Sequence, residues 1–72
     1  MNQMLVDFEL HLIRTPTEVC RILGMSYSSY AGYRHQDKAL PDYLSLHIET
    51  LRRLPFETLH EIVRERLTNG RP

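Results

Sequence analysis

The stretch that decides the fold is residues 15–35, which read TPTEVCRILGMSYSSYAGYRH. Thr15 and Glu18 have the spacing of a capping box, in which both side chains bind backbone amides at the start of a helix. Apolar residues then recur at helical spacing up to Gly24, which lacks a Cβ and so tolerates the left-handed backbone that ends helices. Ser26 is placed to cap a second helix. So short a break predicts two helices that cross steeply, as in a helix-turn-helix.

The flanking segments also favour helices. The apolar residues Met4, Leu5, Phe8, Leu12 and Ile13 fit a first helix, although the alternation of Phe8, Leu10 and Leu12 is also compatible with a short strand. Pro41 and Pro55 are each suited to a first helical turn, and Asn69-Gly70 is a stop signal. The chain is therefore expected to be all-α: one domain over residues 1–72, a compact bundle of about five short helices with its helix-turn-helix at 15–35.

Length limits how much core this chain can build. It has 72 residues, of which 42% are hydrophobic and 25% charged, so it is an ordinary folded domain near the lower size limit for an unaided core. Dimerisation would bury further apolar surface. The preferred seam lies on the helix expected at 56–67, in the stripe Leu59, Ile62 and Val63, although the same stripe also suits the core of the monomer.

Several functional classes are disfavoured by the residues present. The single Cys20 lies on an apolar helix face and predicts a buried, reduced thiol. The four histidines have no metal-site spacing, and neither a nucleophile–base pair nor a glycine-rich phosphate loop occurs, so no enzyme, metal, cofactor or small-molecule ligand is expected. No apolar run approaches the roughly 18 residues that a membrane span needs, and residues 1–13 lack signal-peptide features, which predicts a cytoplasmic protein.

Residues 15–35 resemble the helix-turn-helix of the lambda-repressor, Cro and Xre class of bacterial and phage regulators. The resemblance rests on a small residue within the first helix, a Leu-Gly-hydrophobic-Ser turn, and hydrophobic positions in the second helix; these are Cys20, then Leu23, Gly24, Met25 and Ser26, then Tyr30 and Tyr33. Pro16 departs from the pattern, since the family often has a phosphate-contacting Gln there. The small size is also similar to that of regulators associated with anti-CRISPR operons, without a motif to carry that likeness.

The resemblance implies that the second helix of the pair reads base edges in the major groove. Its start then supplies the base contacts, from Tyr27 and Ser28, with Ser26 bonding a phosphate. By helical period, Ala31, Gly32 and His35 share this outward face, whereas Tyr30 and Tyr33 point inward. A glycine inside a helix is unfavourable, so Gly32 is interpreted as a point of close DNA approach, or alternatively as close helix packing or drift. Arg34 and Lys38 flank the face as expected phosphate partners, or alternatively as solvated charges.

The formal net charge of zero is unusual for a DNA-binding protein. The excess of positive charge falls on the proposed reading unit. Residues 14–38 carry four cations against two acids, a surplus of two; they are Arg14, Arg21, Arg34 and Lys38 against Glu18 and Asp37. We therefore expect weak non-specific DNA binding and a dependence on specific contacts.

These patterns predict a sequence-specific regulator that binds double-stranded DNA, as a homodimeric repressor on an inverted repeat in its own promoter. One alternative is a helical protein–protein interaction module, which would bind its partner through the last helix or a tyrosine-rich surface. A continuous apolar patch over residues 26–35 would favour this alternative, whereas small and hydrogen-bonding side chains there favour DNA. The other is an excisionase-like DNA-binding accessory factor, whose β-hairpin wing is disfavoured by the helical period of the apolar residues after Pro41.

Overall fold

A computed structural model of the protein describes residues 1–36 and 38–69, and this part of the chain contains five helices and no strand. They are α1 (Gln3–Leu12), α2 (Pro16–Leu23), α3 (Tyr27–Gln36), α4 (Asp42–Arg52) and α5 (Phe56–Asn69). The all-α prediction is confirmed, and the strand alternative for the first segment is wrong. Because residues 42–52 are helical, the wing of the excisionase-like alternative is absent from its expected place. The stop predicted at Gly70 lies outside the described residues.

The signals around α2 act as the sequence predicts. The Thr15 hydroxyl accepts a hydrogen bond from the Glu18 amide at 3.3 Å, and the Glu18 carboxylate accepts one from the Thr15 amide at 3.1 Å. Gly24 ends α2 with φ = 75°, in the left-handed region. Two residues later, the Ser26 hydroxyl accepts the Ser29 amide at 3.2 Å and so caps α3. Local hydrogen bonding thus fixes a three-residue connection between α2 and α3.

The first helix has caps of a different kind. Asn2 caps its start, since its side-chain oxygen accepts the Leu5 amide at 3.3 Å. Ile13 ends it in the left-handed region with φ = 55°, where glycine or asparagine is more usual. The expectation that Ile13 joins the apolar stripe is wrong, because this reversal of the chain leaves its side chain 87% exposed.

All five helices contribute to one hydrophobic core. The buried apolar residues are Leu5, Phe8, Val19, Cys20, Ile22, Tyr30, Leu44, Ile48, Leu51, Leu59 and Val63. Full burial of one of the larger apolar side chains contributes about 1.5–3 kcal/mol to the free energy of folding. The predicted buried state of Cys20 is confirmed, and desolvation there raises the pKa of its thiol.

The seam expected for a dimer requires a correction. Leu59 is 5% exposed and Val63 3%, because α5 packs this stripe against the other helices of the same chain. Ile62 is half-buried and also packs against the core. Phe56, by contrast, lies outside the stripe and is exposed. The stripe of α5 therefore belongs to the monomer.

No helix in residues 1–36 and 38–69 has the length and apolarity to cross a bilayer.

Candidate nucleic-acid interface

Helix α3 divides into the two faces that its period predicts. Tyr30 is fully buried, and Tyr33 is half-buried against the core. The expected DNA-facing residues Ser26, Tyr27, Ser28, His35 and Lys38 are all exposed, whereas Ala31 and Gly32 are half-buried. The structure therefore brings most of the predicted site residues to one accessible surface. We call this surface, made of Ser26, Tyr27, Ser28, Ala31, Gly32, His35 and Lys38, the α3 face.

Gly32 lies in open space. A Cβ built on it would meet nothing within 4 Å. Close packing against another helix, one of the two alternatives for this glycine, is therefore excluded for the described residues. Gly32 instead lines a shallow groove together with Ser28, Tyr33 and Lys38. The consequence is a low point in the middle of the α3 face where another molecule can approach the backbone.

Ser26 is committed to the local structure. Its hydroxyl accepts the Ser29 amide at 3.2 Å and donates to the Ser29 hydroxyl at 3.1 Å. A phosphate contact through this hydroxyl, as expected from the sequence, would cost the cap. The amides of Tyr27 and Ser28 belong to the first helical turn, where no preceding turn of helix provides carbonyl acceptors. Anion binding at this end would therefore use backbone N–H groups, aided by the helix dipole.

Arg34 has a different role from the one expected. Its Nε donates to Glu9 Oε2 at 2.7 Å and its Nη2 to Glu9 Oε1 at 3.1 Å, and its side chain is only 18% exposed. The Glu9 carboxylate balances the positive charge of the guanidinium in this two-pronged ion pair. Its hydrogen bonds and its charge also raise the pKa of Arg34, which therefore stays protonated. The assignment of Arg34 as a free phosphate partner is corrected for this reason: it anchors α3 to α1.

The partner of this anchor is a carboxylate that sequence reasoning missed. Glu9 is buried, and besides Arg34 it accepts a hydrogen bond from the Tyr30 hydroxyl. Burial, followed by the hydrogen bond and the charge of Glu9, raises the pKa of Tyr30. The signal was available, because Glu9 lies one residue after Phe8 and four after Leu5, on the buried side of α1.

Asn2 fixes the other end of the α3 face. Its backbone amide donates to the Arg34 carbonyl at 2.8 Å, and its side-chain amide donates to the Lys38 carbonyl at 3.0 Å. The start of α1 is thereby tied to the end of α3 and to the segment that follows. The Lys38 side chain consequently extends from a backbone position that is held in place.

The charge near α3 is smaller than a residue count suggests. Arg34 is neutralised by Glu9, and Arg14 lies 3.4 Å from the carboxylate of Glu18. Lys38 supplies the positive charge on the α3 face. This arrangement favours short-range contacts over long-range electrostatic attraction.

The chain matches no protein-family model, no curated protein and no solved structure.

Proposed function

We propose that this protein is a sequence-specific regulator that binds double-stranded DNA, with α2 and α3 acting as a lambda-repressor-like helix-turn-helix and the α3 face entering the major groove. The observation that carries the proposal is the open, polar character of that face. Gly32 at its centre is not needed for packing in the described chain. Serine and tyrosine hydroxyls surround it, whereas the apolar side of α3 is turned into the core.

Each residue of the α3 face has a role that fits its chemistry. Ser28 donates to or accepts from a base edge, and Tyr27 offers a hydroxyl and a ring that can pack on a thymine methyl. Ala31 and Gly32 let the helix sit deep in the groove. The first-turn amides after Ser26 bind a phosphate at the helix N-terminus. His35 and Lys38 contact further phosphates, which set the position of the helix without reading sequence.

A homodimer on an inverted repeat is part of the proposal. Two copies of α3 would enter successive major grooves about 34 Å apart, and occupation of the protein's own promoter would block transcription. The dimer contact uses a surface other than Leu59 and Val63, since these residues are buried within one chain.

A specific observation favours a second function, that of a helical protein–protein interaction module. Leu10, Ile13 and Phe56 are large apolar side chains that are all exposed. Leu10 and Ile13 line one surface depression and Phe56 lines another, and Arg14 borders both. This apolar region lies apart from the α3 face. The two functions therefore differ in the residues on which they depend.

Selection of bound fragments from random duplex DNA tests the first function, and a palindromic consensus is the expected result. The double substitution Tyr27→Ala with Ser28→Ala should then remove sequence preference, since each good base contact is worth roughly 1–3 kcal/mol. Tyr43→Ala, which removes another exposed tyrosine on α4, is the matched control and should leave binding unchanged. Failure to enrich any sequence, or full operator binding by the double variant, would reject the α3 face as the reading surface. Partner binding lost on Phe56→Ser would instead favour the interaction module.

A further inference from the structure

Two arginines tie α2 to α5 by reciprocal hydrogen bonds. Arg21 on α2 donates from Nη2 to the Leu67 carbonyl at 2.8 Å, and Arg66 on α5 donates from Nη1 to the Ile22 carbonyl at 2.9 Å. Arg66 Nη1 also lies 3.0 Å from Nε2 of His47 on α4. Three helices thus bring three basic side chains together near the end of α2.

These basic side chains line a single open groove, with Gly24 and Glu65 among its other lining residues. Within residues 1–36 and 38–69, the arginines that have a carboxylate oxygen within 4.0 Å are Arg14 and Arg34, so neither Arg21 nor Arg66 has one. Glu65 is exposed and does not approach either guanidinium that closely. We call this surface, made of Arg21, His47 and Arg66, the basic groove.

The acceptors that the chain does provide compensate only part of this charge. The Ile22 and Leu67 carbonyls lie near the ends of α2 and α5, where the helix dipole amounts to roughly half a negative charge. Two full guanidinium charges face these partial charges. In addition, Arg21 Nε is buried and has no hydrogen-bond partner in the described part of the chain. A buried donor without an acceptor is unfavourable, so Arg21 has both an uncompensated charge and an unused donor.

The protonation of His47 depends on the charges inside the basic groove. Because Arg66 can only donate, Nε2 of His47 is the acceptor of their contact, which leaves the ring neutral with its proton on Nδ1. Burial and then the charge of Arg66 lower the pKa of His47. The imidazole therefore adds no positive charge at neutral pH, but it would gain a proton more readily if an anion entered.

We propose that the basic groove binds a phosphate-type oxyanion, with Arg21 and Arg66 as the charged donors and His47 as a third, titratable donor. Guanidinium groups present several N–H donors in a planar fork that matches phosphate oxygens. The anion has two possible sources, a phosphate of the nucleic-acid backbone or a free phosphate ester. The site shares no residue with the α3 face, so it does not depend on the proposed reading of DNA by α3.

Titration with inorganic phosphate tests the site directly, with the ring signals of His47 followed by NMR across a pH series. At matched ionic strength, phosphate is expected to raise the pKa of His47 by about one unit relative to chloride, which corresponds to about tenfold tighter binding to the protonated protein. Arg66→Gln should abolish this response. Arg64→Gln, which removes an exposed arginine from the same helix, should retain it. If Arg66→Gln does not fold, Arg66→Lys keeps the charge but loses the fork and should weaken the response.

A duplex DNA titration distinguishes the two sources. If the ligand is a backbone phosphate, Arg21→Gln and Arg66→Gln each weaken all sequences alike and reduce the salt slope by about one. If the ligand is a free phosphate ester, these variants lose the phosphate response while duplex binding is unchanged. If neither phosphate nor duplex DNA changes the pKa of His47 relative to chloride, the proposal is overturned. Loss of operator binding by the α3 variants alone would bear only on the proposed function.

Discussion

Glu9 and Arg34 form a two-pronged ion pair between α1 and α3, with an Nε–Oε2 distance of 2.7 Å and side chains that are 9% and 18% exposed. The Tyr30 hydroxyl donates to the same carboxylate from within α3. The orientation of α3 against α1 is thus fixed by a buried charge that is satisfied by two groups one helical turn apart. The DNA contact proposed for the α3 face would therefore use a surface whose orientation is already fixed.

Glu9→Gln is expected to lower the free energy of unfolding by about 3 kcal/mol, because it leaves the half-buried Arg34 without its counter-charge. Chemical denaturation followed by circular dichroism measures this loss. Glu57→Gln, at an exposed position of α5, is the matched control and should change stability by less than about 0.5 kcal/mol. Equal effects of the two substitutions would show that the buried pair does not hold α3.

Tyr30 is expected to stay protonated in alkali until the protein unfolds, since burial and the adjacent Glu9 carboxylate raise its pKa. The unfolded chain ionises this tyrosine near pH 10 and the folded chain does not, so stability falls as the pH rises above about 10. Tyrosinate absorbance during a pH titration is the measurement. Tyr30→Phe should remove only the step that coincides with unfolding. If Tyr30→Phe instead reduces an absorbance step at a pH below the unfolding transition, Tyr30 ionises in the folded chain. That result would contradict its buried, hydrogen-bonded state.

Much of the fold was predictable because local chemistry determines it. The capping box of Thr15 and Glu18, the left-handed Gly24 and the Ser26 cap all follow from spacing alone, and each is present in the structure. The two faces of α3 also follow from its period, which correctly assigned Tyr30 to the core. Such features depend on neighbours within four residues, which the sequence displays directly.

The features that sequence reasoning missed depend on long-range pairing. Glu9 and Arg34 are 25 residues apart, so an acid on the buried side of α1 could not be matched with its cation in advance. The seam assigned to Leu59 and Val63 failed for a related reason. An apolar stripe does not reveal whether it is covered by the same chain or by a second one. The local stop at Ile13 also has no sequence signal, since a β-branched residue is unusual in left-handed backbone.

Acid is expected to destabilise the fold through His47. Burial and the charge of Arg66 lower its pKa in the folded state, whereas the unfolded chain binds the proton near pH 6.5. Stability is therefore retained above about pH 6.5 and lost as the pH falls through the lower, folded-state pKa. The unfolding free energies of the native chain and of His47→Gln, each measured at pH 7 and at pH 5, isolate this contribution. Parallel curves for the two proteins would refute it.

The two helix ends in left-handed backbone should respond oppositely to substitution. Gly24→Ala places a Cβ at φ = 75° and is expected to cost about 1–2 kcal/mol of stability. Ile13→Gly removes a β-branched residue from φ = 55° with little packing lost, and is expected to add about 0.5–1 kcal/mol. Thermal and chemical denaturation of both variants provide the comparison. A stabilising Gly24→Ala, or a strongly destabilising Ile13→Gly, would contradict the assigned backbone conformations.

Gly32→Ala is expected to affect stability and DNA binding in opposite directions, because it adds one methyl group to the α3 face. The added methyl meets nothing within 4 Å, and alanine is better than glycine inside a helix, so the free energy of unfolding should rise by about 1 kcal/mol. If the α3 face enters a DNA groove at this point, the same methyl should weaken operator binding, although the protein is more stable. Fluorescence anisotropy with the selected operator measures the second effect, and Thr68→Ala on α5 is the control for it. A variant that is stabilised and binds the operator as tightly as the native chain would show that DNA does not approach α3 at Gly32.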